Sequence, residues 1–298
     1  MLSRDDAVLV DVDNERLPSL GDARDSLRRR IEATLCFIVG GGRTVLAHQH
    51  VPYPFHVTRT FHLDPQRPDL ATLYLQSAAG GLYRGDRLLL AIDAAPGARV
   101  HVTTQAATII HDTRDQSAAQ FTRIRVARDG FAAVTPDPLV LFPGAAMASA
   151  IEVELGRGAG AILTDGFTHH DPASEGRCFA CVTLSTIVRD EHGRVLLADR
   201  GAIAGSAFLA AASPLGPYRA VGTLFALGRH AERLDPTTFE RRLDALGCLA
   251  GMTPTPHQLG YAVRILAPDG GMLARGLDLA FTLAFEALLG VPPERRRK

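Results

Sequence analysis

Alternation of apolar and polar residues with a period of two dominates the middle of the chain. The apolar positions there are Leu73, Leu75, Leu88, Leu90, Ile92, Val100 and Val102. This period is expected of strands that bury one face and expose the other. Two turns separate the strands, one at Gly80-Gly81 and one at Pro96-Gly97. We therefore predict strand, turn, strand, turn, strand, with His101 and Thr103 facing solvent.

Further short strands punctuated by glycine and proline are predicted along most of the chain. Their approximate ranges are 31–39, 44–47, 121–126, 131–134, 151–155, 161–164, 182–188, 195–197, 218–227 and 261–265. In the strand 121–126, Thr122, Arg123 and Arg125 are predicted to face away from the core. The strands 182–188 and 195–197 flank a turn and are predicted to form a hairpin.

Two α-helices are predicted near the C-terminus. The first, about 236–250, begins with Asp235 as N-cap and Pro236 at its first position, and Gly251 ends it. The second, about 273–289, stops at Gly290. The fold class predicted is mainly β, with β-helix-like or layered sheets and these two helices. We divide the chain into a polar segment, 1–30, and a single β-rich domain, 31–298.

Composition excludes several classes of partner. The chain has 298 residues, 46% hydrophobic and 21% charged, with 32 basic and 32 acidic side chains. A net charge of zero provides no electrostatic footprint for nucleic acid or an anionic membrane. The last predicted helix contains Asp278 and Glu286 and is too interrupted to span a bilayer. No signal-peptide pattern opens the chain, and the four cysteines lie in apolar surroundings, so we expect buried, reduced thiols and a cytoplasmic protein.

The glycines around residue 80 have two interpretations. Gly80, Gly81 and Gly85 do not match G-x-G-x-x-G, and no G-K-[ST] follows them. A strand-like Leu/Ile run comes next where a phosphate loop needs a helix N-terminus. A hairpin turn is therefore favoured over a nucleotide site.

Several motifs in one order resemble the urease accessory protein family UreD, also called UreH. They are Gly80-Gly81-Leu82, Gly85-Asp86, Pro96-Gly97-Ala98, the run Thr103-Thr104-Gln105-Ala106-Ala107-Thr108, and Pro136-Asp137-Pro138-Leu139. The resemblance covers roughly Gly80 to Arg200. It departs from the family at Ile109, where a lysine is common.

The resemblance implies a urease maturation factor that is not an enzyme. Such a scaffold, or metallochaperone, would bind apo-urease and the accessory protein UreF, which recruits the GTPase UreG for nickel insertion. It would hold no tight cofactor, although nickel in transit is possible. The residues proposed for partner contact or the nickel path are Asp86, Thr104, Gln105, Asp137 and Glu175, and those proposed to build the motif are Gly80, Gly81, Gly85, Pro136 and Pro138.

Asp137 keeps two interpretations on its residues alone. Prolines on both sides force extended backbone and remove hydrogen-bond donors, so this carboxylate is predicted on a rigid, exposed bend. It is either an Asx-type turn residue or a carboxylate that faces a partner or a metal path. Asp86 has the same two interpretations.

Histidines supply an alternative function, that of a β-rich metalloenzyme. His48 and His50 are two apart and would share a strand face, whereas His169 and His170 are adjacent and would not. No carboxylate or cysteine spacing completes a site, so solvated histidines remain the simpler interpretation. Cys178 and Cys181 are spaced as C-x-x-C but precede a strand, which favours packed thiols over a redox pair. No G-x-S-x-G or H-E-x-x-H motif occurs.

Overall fold

The computed structural model describes residues 30–296, which form seventeen strands and three α-helices. The strands are β1 Arg30–Gly40, β2 Arg43–His50, β3 Phe55–Val57, β4 Leu70–Ser77, β5 Arg87–Ala94, β6 Arg99–Thr104, β7 Ile109–Ile110, β8 Ala118–Val126, β9 Phe131–Thr135, β10 Leu139–Leu141, β11 Ala146–Leu155, β12 Gly160–His169, β13 Cys181–Asp190, β14 Val195–Ala204, β15 Ala220–Leu227, β16 Leu249–Pro254 and β17 Gly260–Ala267. The helices are α1 Gly205–Leu209, α2 Pro236–Asp244 and α3 Gly270–Leu289. Of the predicted polar segment 1–30, Arg30 begins β1 and the rest lies outside the described residues.

Two sheets face each other, and the chain alternates between them. The first sheet has the order β14-β13-β11-β8-β5-β1-β2. The second has the order β16-β17-β15-β12-β9-β6-β4-β3, and off this path β10 pairs with β12 and β7 pairs with β10. Strands of successive turns pair in parallel within each sheet, as in β5 with β8 and β6 with β9. This solenoid-like arrangement, with two helices near the C-terminus, confirms the predicted fold class.

The turn at Gly80-Gly81 joins two sheets and is not a hairpin turn. β4 lies in the second sheet, β5 in the first and β6 in the second, so β5 pairs with neither of them, and β4 pairs with β6 in parallel. At the corner after β5, the Gly97 N–H donates to the Arg128 carbonyl of the following corner at 3.0 Å. The local turn signals were correct, but the pairing partner of each strand lies one solenoid turn away. The predicted hairpin of β13 and β14 is confirmed.

Apolar side chains fill much of the space between the two sheets. Ile92, Ile124 and Val153 form one row of the first sheet and pack against the second. Thr122 has the same inward direction as Ile124 and is 6% exposed. The prediction that Thr122 faces away from the core was therefore wrong, because a residue two positions from a buried one shares its face.

Helix α3 covers the outer face of the second sheet. Its apolar side chains, Leu273, Leu277, Phe281 and Phe285 among them, pack on that face. The Asp269 carboxylate accepts a hydrogen bond from the Met272 N–H at 2.7 Å and caps the helix. His101 and Thr103 lie beneath this cover and are 1% and 3% exposed. Their predicted exposure was wrong, because the sheet is packed on both faces.

Helix α2 begins as predicted and ends earlier. The Asp235 carboxylate accepts from the Thr238 N–H at 2.9 Å, and Pro236 occupies the first turn. The helix ends at Asp244, six residues short of the predicted boundary, and Gly247 has a φ of +90°. Residues 249–254 pair with β17 as strand β16, so sheet pairing overrides the helical spacing of Ala250. Within residues 30–296, no helix has both the length and the hydropathy that a membrane crossing requires.

Candidate functional site

A cavity of about 630 Å³ lies between the two sheets, where the packed apolar rows stop. On one side it borders the cluster that contains Leu90 and Ile151, and on the other the cluster that contains Leu88 and Leu139. Polar side chains project into this space from both sheets. They are Thr104, Gln120, Thr122, Asp137, Ser149 and Asp165.

Strand register places the polar side chains in neighbouring rows. In the first sheet, Gln120 on β8 is level with Ser149 on β11, and Thr122 is level with Ile151. In the second sheet, Asp165 on β12 is level with Thr223 on β15, which is level with Arg264 on β17. Short polar side chains do not fill the volume that leucine or isoleucine would fill. The cavity therefore follows from the residues at these register positions.

Asp137 and Asp165 are the two carboxylates that line the cavity among residues 30–296. Asp165 is half-buried, and its Oδ2 atom is buried without a hydrogen-bond partner. The Gly166 N–H donates to its Oδ1 atom at 2.8 Å. Burial raises the pKa of Asp165 to about 7, although Gly166 and the Ser149 hydroxyl oppose the shift. This carboxylate therefore exchanges its proton near neutral pH and can accept a cation there.

Two further charges lie at the far end of the same row. Arg264 on β17 forms an ion pair with Asp199 on β14, and its guanidinium also donates to the Thr223 hydroxyl. This pair joins the two sheets beyond Asp165. Asp199 raises the pKa of Asp165 and Arg264 lowers it, both less strongly than burial does.

Thr104 and Asp137 form a clamp on the cavity wall nearer its mouth. The Thr104 hydroxyl donates to Asp137 Oδ2 at 3.1 Å, and the Asp137 N–H donates to Thr104 Oγ1 at 2.7 Å. Both residues are half-buried and line the cavity. The predicted exposure of this carboxylate was wrong, because Asp137 is half-buried against Thr104. These hydrogen bonds join it to Thr104 on β6, and whether it serves a partner or a metal path stays a prediction.

The predicted glycine turn and polar run frame the mouth of the cavity. Gly80, Gly81 and Gln105 all line it, and Gln105 hydrogen-bonds the Gln76 side chain. Gly81 has a φ of +138°, and a Cβ there would lie 2.3 Å from the Ile109 carbonyl oxygen. Only glycine therefore lets β7 approach the turn this closely.

Three predicted residues lie away from the cavity wall. Asp86 accepts from the Tyr83 N–H at 2.8 Å and closes the turn that follows the mouth, where Gly85 has a φ of +74°. Glu175 is exposed on the loop before β13 and pairs with Arg177 at 3.0 Å. The prediction of a partner contact or nickel path stays open for Asp86 and Glu175.

The histidines do not gather into a metal centre. His48 and His50 are exposed along β2, and His170 is exposed where His169 is half-buried. Burial lowers the pKa of His169 and keeps it neutral. Within residues 30–296, no three His, Cys, Asp or Glu side chains are arranged to hold one ion.

The cysteines are also unpaired throughout the described chain. Cys248 is buried, but Cys181 is exposed at the start of β13, so the expectation of buried thiols was wrong there. Burial still raises the pKa of the Cys181 thiol, which does not favour a reactive thiolate.

Comparisons with known proteins converge on one family. The model of the family described as "UreD urease accessory protein" matches residues 30–298. Urease accessory protein UreD 1 of Methylorubrum extorquens is 50% identical over 271 residues, which cover 91% of this chain and 92% of the relative. Urease accessory protein UreD 3 of a Bradyrhizobium species is 44% identical over 91% of this chain and 95% of the relative. Urease accessory protein UreD 1 of Pseudomonas syringae pv. syringae is 33% identical over 86% and 91%.

Proposed function

The chain belongs to the UreD family of urease accessory proteins, and on that premise we propose that it is a scaffold through which nickel travels to apo-urease. A role in urease maturation, without enzymatic activity, follows from the family. The finer proposal is that nickel enters the cavity between the two sheets. The observation that carries it is the buried, unpartnered carboxylate oxygen of Asp165 inside that cavity.

The donors of the cavity suit a divalent ion that must leave again. Carboxylate, hydroxyl and amide oxygens bind Ni²⁺ less tightly than a full set of imidazoles or thiolates, so transfer is favoured over retention. Near neutral pH, Asp165 is poised to lose a proton and gain the ion. We propose that the ion passes Gln105 and the Thr104–Asp137 clamp before it reaches Asp165. No ion needs to remain bound in the finished protein.

We propose that the partners are the urease subunits, UreF and, through UreF, the GTPase UreG. An exposed apolar pair supports docking against another protein: Ile38 on β1 lies directly opposite Val45 on β2 and is 43% exposed. Val39, 48% exposed, extends this pair at an edge of the first sheet. Such a patch on the free chain favours poor solubility without a partner. The unpaired cysteines fit a reducing cytoplasm.

The test is an affinity pull-down with this chain as bait, coexpressed with the urease subunits and the other accessory proteins of its host. We expect Asp165→Asn to recover the same partners and to lower the nickel content of the recovered urease by roughly tenfold. Asp137→Ala should act in the same direction because it removes the clamp. Glu286→Gln is the matched control, since this exposed side chain on α3 lies outside the cavity.

The proteins that each variant recovers in the pull-down determine how its nickel result is interpreted. Recovery of UreF and urease with little nickel in the Asp165→Asn lane supports transit through the cavity. Full nickel loading in that lane contradicts it and leaves a scaffold around which the ion travels. Asp86→Ala separates the mouth from the interior, because this carboxylate holds the turn beside the mouth.

A further inference from the structure

A second, smaller chamber of about 40 Å³ lies on the other face of the second sheet, beneath α3. Thr103, Asp137 and Thr164 line both this chamber and the large cavity. The Thr164 hydroxyl is buried there without a hydrogen-bond partner. These three residues therefore lie between the large cavity and the smaller chamber.

The C-terminal arm, residues 292–296, closes this chamber with one side chain. Arg296 lines the chamber, and its side chain is 4% exposed. Its NH1 and NH2 groups donate to the two carboxylate oxygens of Asp64 at 3.0 and 2.8 Å. Its Nε–H donates to His101 Nδ1 at 3.1 Å.

The protonation of His101 follows from these contacts. Arginine can only donate hydrogen bonds, so Nδ1 of His101 carries a lone pair and points it at the guanidinium. The other ring nitrogen then donates to the Thr135 hydroxyl at 2.7 Å. The ring stacks on Phe281 of α3 with 4.6 Å between centroids, which fixes its direction. A neutral imidazole nitrogen and a carboxylate therefore face the same cation.

These two donors are ligand types that divalent transition metals accept. Asp64 is 2% exposed and His101 is 1% exposed, so a charge between them is held away from water. Tyr74, 8% exposed, is close enough for both Asp64 and Arg296 to affect its pKa, which burial raises. The guanidinium thus lies between the Asp64 carboxylate and His101 Nδ1, two groups that could also bind a metal ion. A metal ion is smaller than the guanidinium, so water would complete its coordination.

The arm is held mainly by this one side chain. Pro292, Glu294 and Arg295 are exposed, and besides Arg296 the arm contributes the Glu294 N–H, which donates to Asp64 Oδ1 at 2.8 Å. A buried ion pair yields little net free energy, because desolvation of both charges offsets their attraction. The remaining residue of the arm, Pro293, is half-buried. Exchange of Arg296 for another cation is therefore energetically accessible.

We propose that Asp64 and His101 form a divalent-cation site that the C-terminal arm keeps filled with the Arg296 guanidinium until a divalent ion replaces it. The inference rests on the proposed function in one respect, that the arriving ion is nickel. The arm then acts as an internal competitor. It keeps the helix-side chamber closed while no ion is present, and it leaves when one binds.

The test measures Ni²⁺ binding to the full chain by isothermal titration calorimetry, with Mg²⁺ as the comparison ion. Arg296→Gln should bind the nickel ion at this site roughly tenfold more tightly than the natural sequence, because the competitor has lost its charge. Arg295→Gln on the same arm is the matched control and should bind as the natural sequence does, since its side chain is exposed. The double variant Asp64→Asn/Arg296→Gln should lose this binding event. An unchanged nickel affinity in folded Arg296→Gln overturns the proposal.

A measurement on the natural sequence covers the case in which Arg296→Gln does not fold. The Glu294 amide is hydrogen-bonded to Asp64, so its hydrogen exchange reports whether the arm is docked. Ni²⁺ should accelerate exchange in the C-terminal peptide, and Mg²⁺ should not. Unchanged exchange at saturating Ni²⁺ overturns the proposal. Neither measurement uses urease. If Asp165→Asn did not change the nickel content of urease, the proposed function would fail, but these two measurements would still test the Asp64–His101 site.

Discussion

Between the two sheets, neighbouring rows of inward-facing side chains differ in polarity. We call each row across β5, β8 and β11, with the space beside it, a level. At one level, Ile92, Ile124 and Val153 form a row of the first sheet with no polar atom in their side chains. One level along, Leu90, Thr122 and Ile151 form the next row, beside the row of Gln120 and Ser149. The first level is packed, and the second opens into the cavity.

The difference shows how a solenoid supports a cavity. Backbone pairing continues through both levels, because β5, β8 and β11 keep one register throughout. The packed level contributes burial of apolar area, at about 25 cal/mol per Å². The cavity level contributes little of this and holds Asp165, whose burial is unfavourable. If nickel passes through the cavity as proposed, stability and cation binding belong to adjacent levels of one strand ladder.

The strongest test of the difference between the two levels places the same polar side chain, asparagine, at each level in turn. Ile124→Asn should lower the free energy of unfolding by about 5 kcal/mol, because it removes a buried side chain and leaves an amide without partners. Thr122→Asn, two residues away on the same face, should cost about 1 kcal/mol because polar groups of the cavity surround it. Urea denaturation of both variants measures the difference. Equal losses would show that the two levels are not distinct.

The second test uses the pH dependence of stability at Asp165. Its pKa is raised from 3.8 to about 7 in the folded chain, so between those values the unfolded state loses a proton that the folded state keeps. Asp165 therefore does not reduce the free energy of unfolding below pH 3.8, where it is neutral in both states. The free energy of unfolding falls as the pH rises from 3.8 to about 7. Asp165→Asn should therefore stabilise the chain by up to about 4 kcal/mol above pH 7.

The same variant should show no advantage at acidic pH. Near pH 4 both Asp165 and its asparagine replacement are neutral, so the unfolding midpoints of the two proteins should meet. Glu175→Gln serves as control because its exposed carboxylate should shift the curve little at any pH. A constant difference between Asp165→Asn and the natural sequence from pH 4 to 8 would assign the effect to shape and not to charge.

Local signals in the sequence predicted the elements better than their pairing. Alternation and turn residues located most strands, and Asp235 and Pro236 located the start of α2. Whether Gly80-Gly81 made a hairpin or a corner depended on β8 and β9, which lie far along the chain. No residue at the turn itself distinguishes these outcomes, because both need the same backbone freedom.

The candidate site was predicted at its mouth and missed in its interior. Thr104, Gln105 and Asp137 belong to exposed or half-buried motifs that the family resemblance identified. Asp165 and Thr122 were missed because their significance depends on which strand face points inward. A usable signal existed for Thr122, which is in phase with Ile124 and Val126. A polar residue in phase with an apolar face indicates a cavity or a buried polar contact.

The mildest test removes one polar atom from the cavity level without changing its shape. Thr122→Val should alter the free energy of unfolding by less than about 1 kcal/mol, because valine has nearly the volume of threonine and the wall there already faces a cavity. Nickel recovered in urease should fall nonetheless, since one oxygen on the path is lost. Urea denaturation and the pull-down measure the two effects on one variant. A loss of about 3 kcal/mol would instead make this hydroxyl a structural contact, and the boundary between the packed and open levels would move one row further into the cavity.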